Sequence, residues 1–472
     1  MIVVTLARSV ITLRHWWDLC RGSGAKVTFC DTNLPMPEPS HPTLVRAIGR
    51  WSLAALTINC IIGSGVFGLP SVISGLVGNA GPLAWILAAA VTGLVMACFA
   101  EVSSRFDQSG GIYLYSRIAW GRTTGIAVAW LGWLGRLTAC AANANLFVIY
   151  LAEFWPAAKA PVPRMLVIAG LLTALTVVNY MGVRRGTTQS NLFTAAKLIT
   201  LTAFMTVGLL YLTVGHHPAI FSVPQIPIAK WLSPVLLLMF AYGGFETALM
   251  PGGEAKDPRR DYPFALLVAL ITCTLVYTAT QLLINSVLPL ASMTDRPMAA
   301  AVQVIVGHWG AALVSIGVLF STYGYLSANI LGAPRILFAM AELGDMPPEL
   351  ARIHSRFRTP HLAIVAFAVL LFAFAIAGTF EWNVFVSAVS RLFYYGSVCA
   401  ALPVMRRKPG LPREQFHLAL GDLFAVLAVG VSLLLLPKLD RGGLAVMGVL
   451  VAVIALNSLW AARVHASDSV EP

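Results

Sequence analysis

The chain has 472 residues, of which 58 % are hydrophobic and only 11 % charged, against roughly 25 % charge in soluble domains. That composition excludes a water-soluble globular fold. The formal net charge of +12 is spread over many short loops and forms no continuous run, so it does not describe a nucleic-acid-binding arm; the partner it implies is a lipid bilayer.

In chain order, residues 1–42 come first. The stretch "RHWWDLCRGSGAKVTFCDTNLPMPEPSHP" has no helical stripe, and no apolar core followed by a small-residue cleavage site, so it is not a secretory signal. A disordered or surface-lying tail is expected here. Met36 opens "MPEPSHPTLVRAIGRW", which reads as an ordinary cytoplasmic lead-in and makes Met36 a candidate translation start; a native peptide from before it would exclude that.

From Trp51 to Trp460 apolar runs of bilayer-crossing length, about 17 to 25 residues, recur between short polar breaks. Twelve spans are expected: about 51–77, 82–106, 125–154, 162–181, 190–214, 231–253, 262–290, 309–342, 360–379, 384–405, 418–437 and 441–463. With the start of the first span inside, the inside loops collect fifteen Lys and Arg, from Arg105 to Arg413, against six outside. By the positive-inside rule both termini face the cytoplasm. No loop is long enough for a soluble catalytic domain, and the residues after 463 form a short tail.

Two spans carry an anomaly. The first contains "TINCIIGSGVFGLP", residues 57–70, with Gly63, Ser64 and Gly65 where a membrane helix should be continuous; the sixth contains "MFAYGGFETALMPGGEAKDPRR", residues 239–260, with Gly243 and Gly244 followed by Glu246. Glycine weakens a helix interior by about 1 kcal/mol, and irregular backbone at membrane depth survives only beside a cavity or inside protein. Paired interruptions in the leading spans of two five-span groups point to an inverted-repeat transporter with a midplane site. A half-helix starting at Gly63–Gly65 presents amides and a positive dipole end, which suit a carboxylate. Carbonyls at Ile61 and from Phe240 to Gly243 suit an ammonium group. Close helix packing through small residues is the competing reading for either break alone.

Charged residues inside spans follow the same logic. Lys197, amid "NLFTAAKLITL", lies mid-span, where a charge costs about 2.5 to 3.5 kcal/mol on insertion scales; it is either a coupling residue or a permanent structural cation. Glu246 is a proton carrier, a partner for Arg136 or Arg391, or a helix-terminal charge. Arg136 and Asn143, seven residues apart, share a helix face, and Arg136 either contacts substrate or pairs with an acid such as Glu153. Arg391, one turn before Tyr394 and Tyr395, is expected in a gating network. Glu101 pairs with Arg105 four residues on and, with Glu254 and Asp257, is expected to close the cytoplasmic side. The seven cysteines and nine histidines show no ligand spacing, so neither metal nor cofactor is expected. No paired Asp, H-E-x-x-H or Ser-His arrangement within the spans suggests an enzyme.

Four segments, "IIGSGVFGLP", "EVSSRFDQSGGIYLYSRIAWG", "GGFETALMPGGEAKDPRRDYP" and "PRILFAMAELGDMPPELARIHSRFRTPH", together resemble the amino acid, polyamine and organocation superfamily of permeases. The likeness runs from about Leu44 to Arg463 and is greatest to bacterial amino acid permeases and the cationic amino acid transporter branch. It implies an all-α membrane protein of twelve transmembrane helices: a 5+5 inverted repeat over about 51–214 and 231–405, broken first and sixth helices, and two further helices over about 418–463. It places the substrate carboxylate on Gly63, Ser64 and Gly65, and the amino group on the carbonyls of Ile61, Phe240 and Gly243 beside Gly244. Phe240 is then the aromatic lid, and Asn329 contacts the substrate side chain. Lys197 takes the position of a sodium ion, near the carbonyls of Ile61 and Ile62 and the Ser327 hydroxyl. The function implied is alternating-access amino acid transport across a bacterial-type inner membrane, with protons as the first coupling choice. Exchange, polyamine transport and a transport-dead sensor are the alternatives. Small residues at the breaks and Phe240 suit a neutral side chain.

Overall fold

The computed structural model describes residues 49–106, 111–181, 183–214, 226–249, 257–289, 294–357, 359–438 and 441–468. Its elements are α1 (Arg50–Ile61), α2 (Gly65–Val77), α3 (Gly81–Ser103), α4 (Gly111–Trp120), α5 (Arg122–Leu151), α6 (Pro161–Tyr180), α7 (Val183–Thr213), α8 (Ile228–Tyr242) and α9 (Phe245–Ala248). They continue with α10 (Pro258–Val287), α11 (Pro297–Val306), α12 (His308–Gly332), α13 (Pro334–Glu342), α14 (His361–Ala377), α15 (Phe380–Arg407), α16 (Gly421–Leu435) and α17 (Arg441–Asp468). No strand occurs among the described residues. Nine helical stretches there are long and apolar enough to cross a membrane, and α11, α14 and α16 are shorter apolar helices. The expected tail over residues 1–42, Met36 and Glu254 lie outside the described residues.

Helices hydrophobic on all sides sort themselves by what they bury. In α5, 83 % of the apolar window is inside the protein, and in α15 72 %, against 17 % in α6 and in α17. The first pair forms the centre and the second the periphery, where Leu166, Val449 and Leu456 present bare side chains outward. An apolar shell of that kind belongs in lipid. Two elements lie outside the expected spans: α4 and α11, each ten residues long, too short to cross a bilayer. The span expected over 309–342 is divided at Ala333, where Pro334 opens α13.

Both anomalous stretches are unwound. Between α1 and α2, Ile62 is extended, with φ −69° and ψ 97°. Between α8 and α9, Gly243 is extended and Gly244 has φ +111°, a conformation that only glycine reaches cheaply. A Cβ at Gly244 would also strike the Cys60 carbonyl oxygen. The broken helices cross at Gly65, where a Cβ would lie 2.7 Å from that of Ala241.

Polar side chains hold the unwound helices in register. The Tyr277 hydroxyl on α10 lies 3.2 Å from the carbonyl oxygens of both Ile61 and Ala241, so one donor serves both breaks. Above it, Trp85 Nε1 donates to Gln281 Oε1 at 2.9 Å, and Gln281 Nε2 donates to Ser74 Oγ at 2.8 Å, pinning α2 to α3 and α10.

Two ion clusters tie helix ends to loops. Glu101, fully buried, accepts from Arg406 Nη2 at 2.6 Å, Arg406 Nε at 2.8 Å and the Leu418 amide at 2.9 Å, with Arg105 at 3.4 Å. The pairing with Arg105 is as expected, but the larger partner is Arg406; Asp257, expected in the same closure, instead donates its amide to Asp261. Glu414 and His417 also approach Glu101, whose oxygens Arg406 and the Leu418 amide already hold. In the second cluster, buried Asp345 receives Arg117 at 3.2 Å, together with Arg122 and the Tyr113 hydroxyl. Burial, with the Asp345 carboxylate beside it, holds the Tyr113 phenol well above its ordinary pKa, so it stays a donor.

Gly244→Ala is expected to lower the melting temperature of the detergent-purified protein and to reduce ligand binding, whereas Gly75→Ala, with open space around the new methyl group, is expected to be neutral or stabilising by up to about 1 kcal/mol. Glu101→Ala should cost on the order of 2 kcal/mol, less than orphaning a fully buried charge because Arg406 keeps Asp422 at 3.4 Å; Arg407→Ala, 81 % exposed at its side chain, should leave the melting curve unchanged.

Candidate functional site

The two breaks meet. A chamber of about 10 Å³, room for about one water, is lined by Gly63, Ser64 and Gly65 from the first break, Phe240 and Gly243 from the second, and Asn143 of α5. The amides of Gly63, Ser64 and Gly65 have no backbone acceptor among the described residues. The Ser64 hydroxyl and Asn143 Oδ1 are buried without hydrogen-bond partners among the described residues. Buried polar groups are nearly always bonded, so donors and acceptors gathered around one hollow make it a candidate polar binding site. Amides at the start of α2 suit a carboxylate; the Asn143 oxygen suits an ammonium.

Two of the carbonyls expected for that ammonium already carry a bond. The Ile61 oxygen accepts from Tyr277 at 3.2 Å and the Phe240 oxygen from the Gly243 amide at 3.2 Å. Each retains one lone pair.

A second chamber, of about 120 Å³, adjoins the first through Cys60, Tyr325 and Arg391, which line both. Its lining comes from Asn59 and Cys60 before the first break and from Gly244, Glu246 and Thr247 after the second. The small chamber also takes Cys60 and Ile61 from the end of α1, but adds the start of α2 and, at the second break, the end of α8 in place of α9. Asn329 lines the larger chamber, not the smaller one, and donates to the Tyr325 carbonyl at 2.9 Å.

Lys197 of α7 is buried, and Nζ donates to the carbonyls of Ile62 at 2.6 Å and Asn59 at 2.9 Å. These are the oxygens that α1 loses as it unwinds. The expected partners are thereby corrected: Ile62 is one, Asn59 replaces Ile61, and Ser327 Oγ has no partner among the described residues. Two of the ammonium's three donors are thereby used.

Glu246 is buried beside the second break. Its carboxylate accepts from the Gly244 amide at 2.9 Å, Tyr394 at 2.8 Å and Tyr395 at 3.0 Å, with Arg391 Nη1 at 3.6 Å. Arg391 and the two tyrosines thus share one polar cluster, with Glu246 at its hub. The Arg391 guanidinium also lies over the Phe240 ring at 5.7 Å, and a Cβ at Gly243 would overlap it. Arg136 donates to the Thr247 hydroxyl at 3.1 Å. Glu153, an alternative partner for Arg136, pairs instead with Arg296, and His308 lies 3.6 Å from it; seventeen residues of helix put Arg136 and Glu153 about 25 Å apart.

Sequence reasoning missed Tyr325 and Tyr277. Tyr325 lies one turn before Asn329 on the same helix, and its ring packs 3.5 Å from where a Cβ at Gly63 would sit. A tyrosine deep inside an apolar span is a signal of the same kind as Lys197, since its hydroxyl needs a partner there. Of the five cysteines described, all are free thiols and four are buried, as expected of core residues.

The comparisons agree with the architecture. Residues 48–460 match the amino acid permease family. A methylthioribose transporter of Bacillus subtilis is 25 % identical, over 84 % of this chain and 89 % of its own length. From the same organism, the branched-chain amino acid permease BcaP is 24 % identical, over 79 % and 83 %, and the serine/threonine exchanger SteT is 27 % identical, over 83 % and 91 %. A match to the family over residues 48–460, nearly the whole chain, places this protein in the amino acid permease family.

Proposed function

We propose that the chain carries α-amino acids across a bacterial-type inner membrane by alternating access, with the substrate held between the two breaks. The observation that carries this reading is the small chamber. Amides of Gly63–Gly65 with no backbone acceptor among the described residues, the Ser64 hydroxyl and the Asn143 oxygen line one hollow; it has room for about one water and must widen to take the two charged ends of a zwitterion. Phe240, roofed by Arg391, serves as the lid that must move for substrate to pass. Asn329 meets the distal part of the substrate in the larger chamber.

The proposed frame is the twelve-span, 5+5 inverted repeat with both termini cytoplasmic. The larger chamber then lies on the cytoplasmic side of the breaks, since Asn59 and Cys60 of α1 line it. Opening outward requires the two halves of each broken helix to move apart at Gly63–Ser64 and Gly243–Gly244, where no helical hydrogen bond has to be broken.

Coupling is assigned to Lys197. Its ammonium joins α7 to the end of α1 through two charge-assisted bonds, the stronger class of hydrogen bond, and both acceptors belong to the moving segment. Burial penalises the charge while the carbonyls favour it. The protonation state of Lys197 is thereby tied to the position of α1. Exchange is the second reading, favoured by the similarity to a protein named as a serine/threonine exchanger.

Lys197→Ala is expected to fold and to lose uptake by at least about tenfold, equivalent to about 1.4 kcal/mol. Full, pH-dependent uptake in that variant would remove Lys197 from coupling. In proteoliposomes, uptake into empty vesicles driven by an acidic exterior supports symport; uptake only into vesicles preloaded with amino acid, indifferent to the pH gradient, replaces symport with exchange.

A further inference from the structure

Two apolar grooves flank α10, each larger than the chambers at the breaks. One, of about 280 Å³, lies against α7 with Leu209 and Leu282 in its lining; the other, of about 320 Å³, lies against α3. Each keeps an exposed leucine, Leu209 in the first and Leu267 in the second, so both open toward lipid. Small residues make room for the second groove: Gly93, Ala97 and Ala100 of α3 line it opposite Phe264 and Leu267 of α10, with Phe416 from the segment before α16. It occupies the half of the membrane in which α3 ends and α10 begins, which is the cytoplasmic half in the proposed orientation.

Charge at one end sets the second groove apart. The Phe264 ring, part of its wall, lies under the Arg50 guanidinium at 5.6 Å and meets the Trp51 ring edge-on at 4.9 Å. Arg260 lies one turn before Phe264 on the same face of α10. Both arginines are exposed, and neither has an ion pair or a side-chain hydrogen bond among the described residues. The acids at this end leave them available. Glu101 and Glu414 are paired with Arg406 and Arg105, and Asp261 is buried and accepts the Asp257 amide. Asp257 itself, which is exposed, has no ion pair among the described residues. Tryptophan and arginine at the mouth of an apolar groove are side chains suited to headgroup depth. An arginine over a ring loses none of its N–H donors to that contact, and a guanidinium with free donors matches a phosphate in bidentate geometry.

We infer that the groove between α3 and α10 holds an acyl chain of an anionic phospholipid whose phosphate is taken by Arg50 and Arg260. A zwitterionic lipid can fill the same apolar space, but it brings a cation that the arginines repel, and that difference gives the selectivity. Arg50 belongs to α1 and Arg260 to α10, so the bound phosphate ties the first half of a broken helix to its neighbour. The inference goes beyond the transport reading and does not depend on it, since the lipid is held whether or not an amino acid is carried.

The test is retention of added lipid by the full-length, detergent-purified protein, read by native mass spectrometry and by the shift in melting temperature. Dioleoyl phosphatidylglycerol is expected to be retained at least about tenfold better than dioleoyl phosphatidylcholine, each arginine near the surface contributing about fivefold, and high salt should shrink the difference. Arg50→Gln combined with Arg260→Gln should erase the preference while leaving phosphatidylcholine retention unchanged. Ala97→Trp, which fills the groove, should lower retention of both lipids. Arg407→Gln removes a cation that is 81 % exposed at its side chain and should keep the preference. Equal retention of the two lipids by the wild-type protein overturns the inference, and that comparison stands even if a variant fails to fold. A preference that survives the double glutamine variant, or that Arg407→Gln removes to the same extent, overturns it too. So does undiminished retention in Ala97→Trp, or a melting shift from glycerol 3-phosphate alone as large as that from phosphatidylglycerol.

Discussion

A peptide group that leaves its helix in the middle of a bilayer has no water to turn to, and each bond it gives up must be replaced from within the protein. The arrangement around the two breaks follows from that requirement. The carbonyls freed at the end of α1 are taken by Lys197 and by the Tyr277 hydroxyl. At the second break, the Gly244 amide turns to Glu246. The groups left over, the Gly63–Gly65 amides with the Ser64 hydroxyl, are those that face the small chamber.

Sharing partners between breaks has a mechanical consequence. Tyr277 touches both unwound segments through one hydroxyl, and a Cβ at Gly244 would strike the Cys60 carbonyl, so neither break can rearrange without disturbing the other. Rigid elements on either side, the buried helices α5 and α15 among them, provide a frame against which such a pair can move. Lys197 adds a charged tie from that frame to α1, and Glu246 with the tyrosine pair adds one from α15 to α9.

The electrostatics run in the same direction. Placing two arginines and a lysine around one cavity is expensive at membrane depth. Such a cost is usually kept where function needs it, and the match to a permease family over residues 48–460 supplies that context. The relatives carry names as different as methylthioribose, branched-chain amino acid and serine/threonine transporters, so membership of the family does not by itself fix the substrate.

The linear order of residues determined the membrane class, the breaks and the importance of Lys197, because each is local: apolar length, glycine against helix propensity, and the cost of a charge in lipid are properties of one segment. It also determined that Arg391 and its tyrosines share a face, since they lie one turn apart. Tertiary structure alone decided that Glu246 is the hub joining them, that Arg406 and not Asp257 completes the Glu101 cluster, and that Asn59, in place of Ile61 or Ser327, receives Lys197. Those pairings depend on how distant helices rotate and cross, and helices apolar on every side carry no stripe to fix that rotation. The convergence of Arg136 and Arg391, 255 residues apart in sequence, became visible for the same reason only when α5 and α15 were packed together.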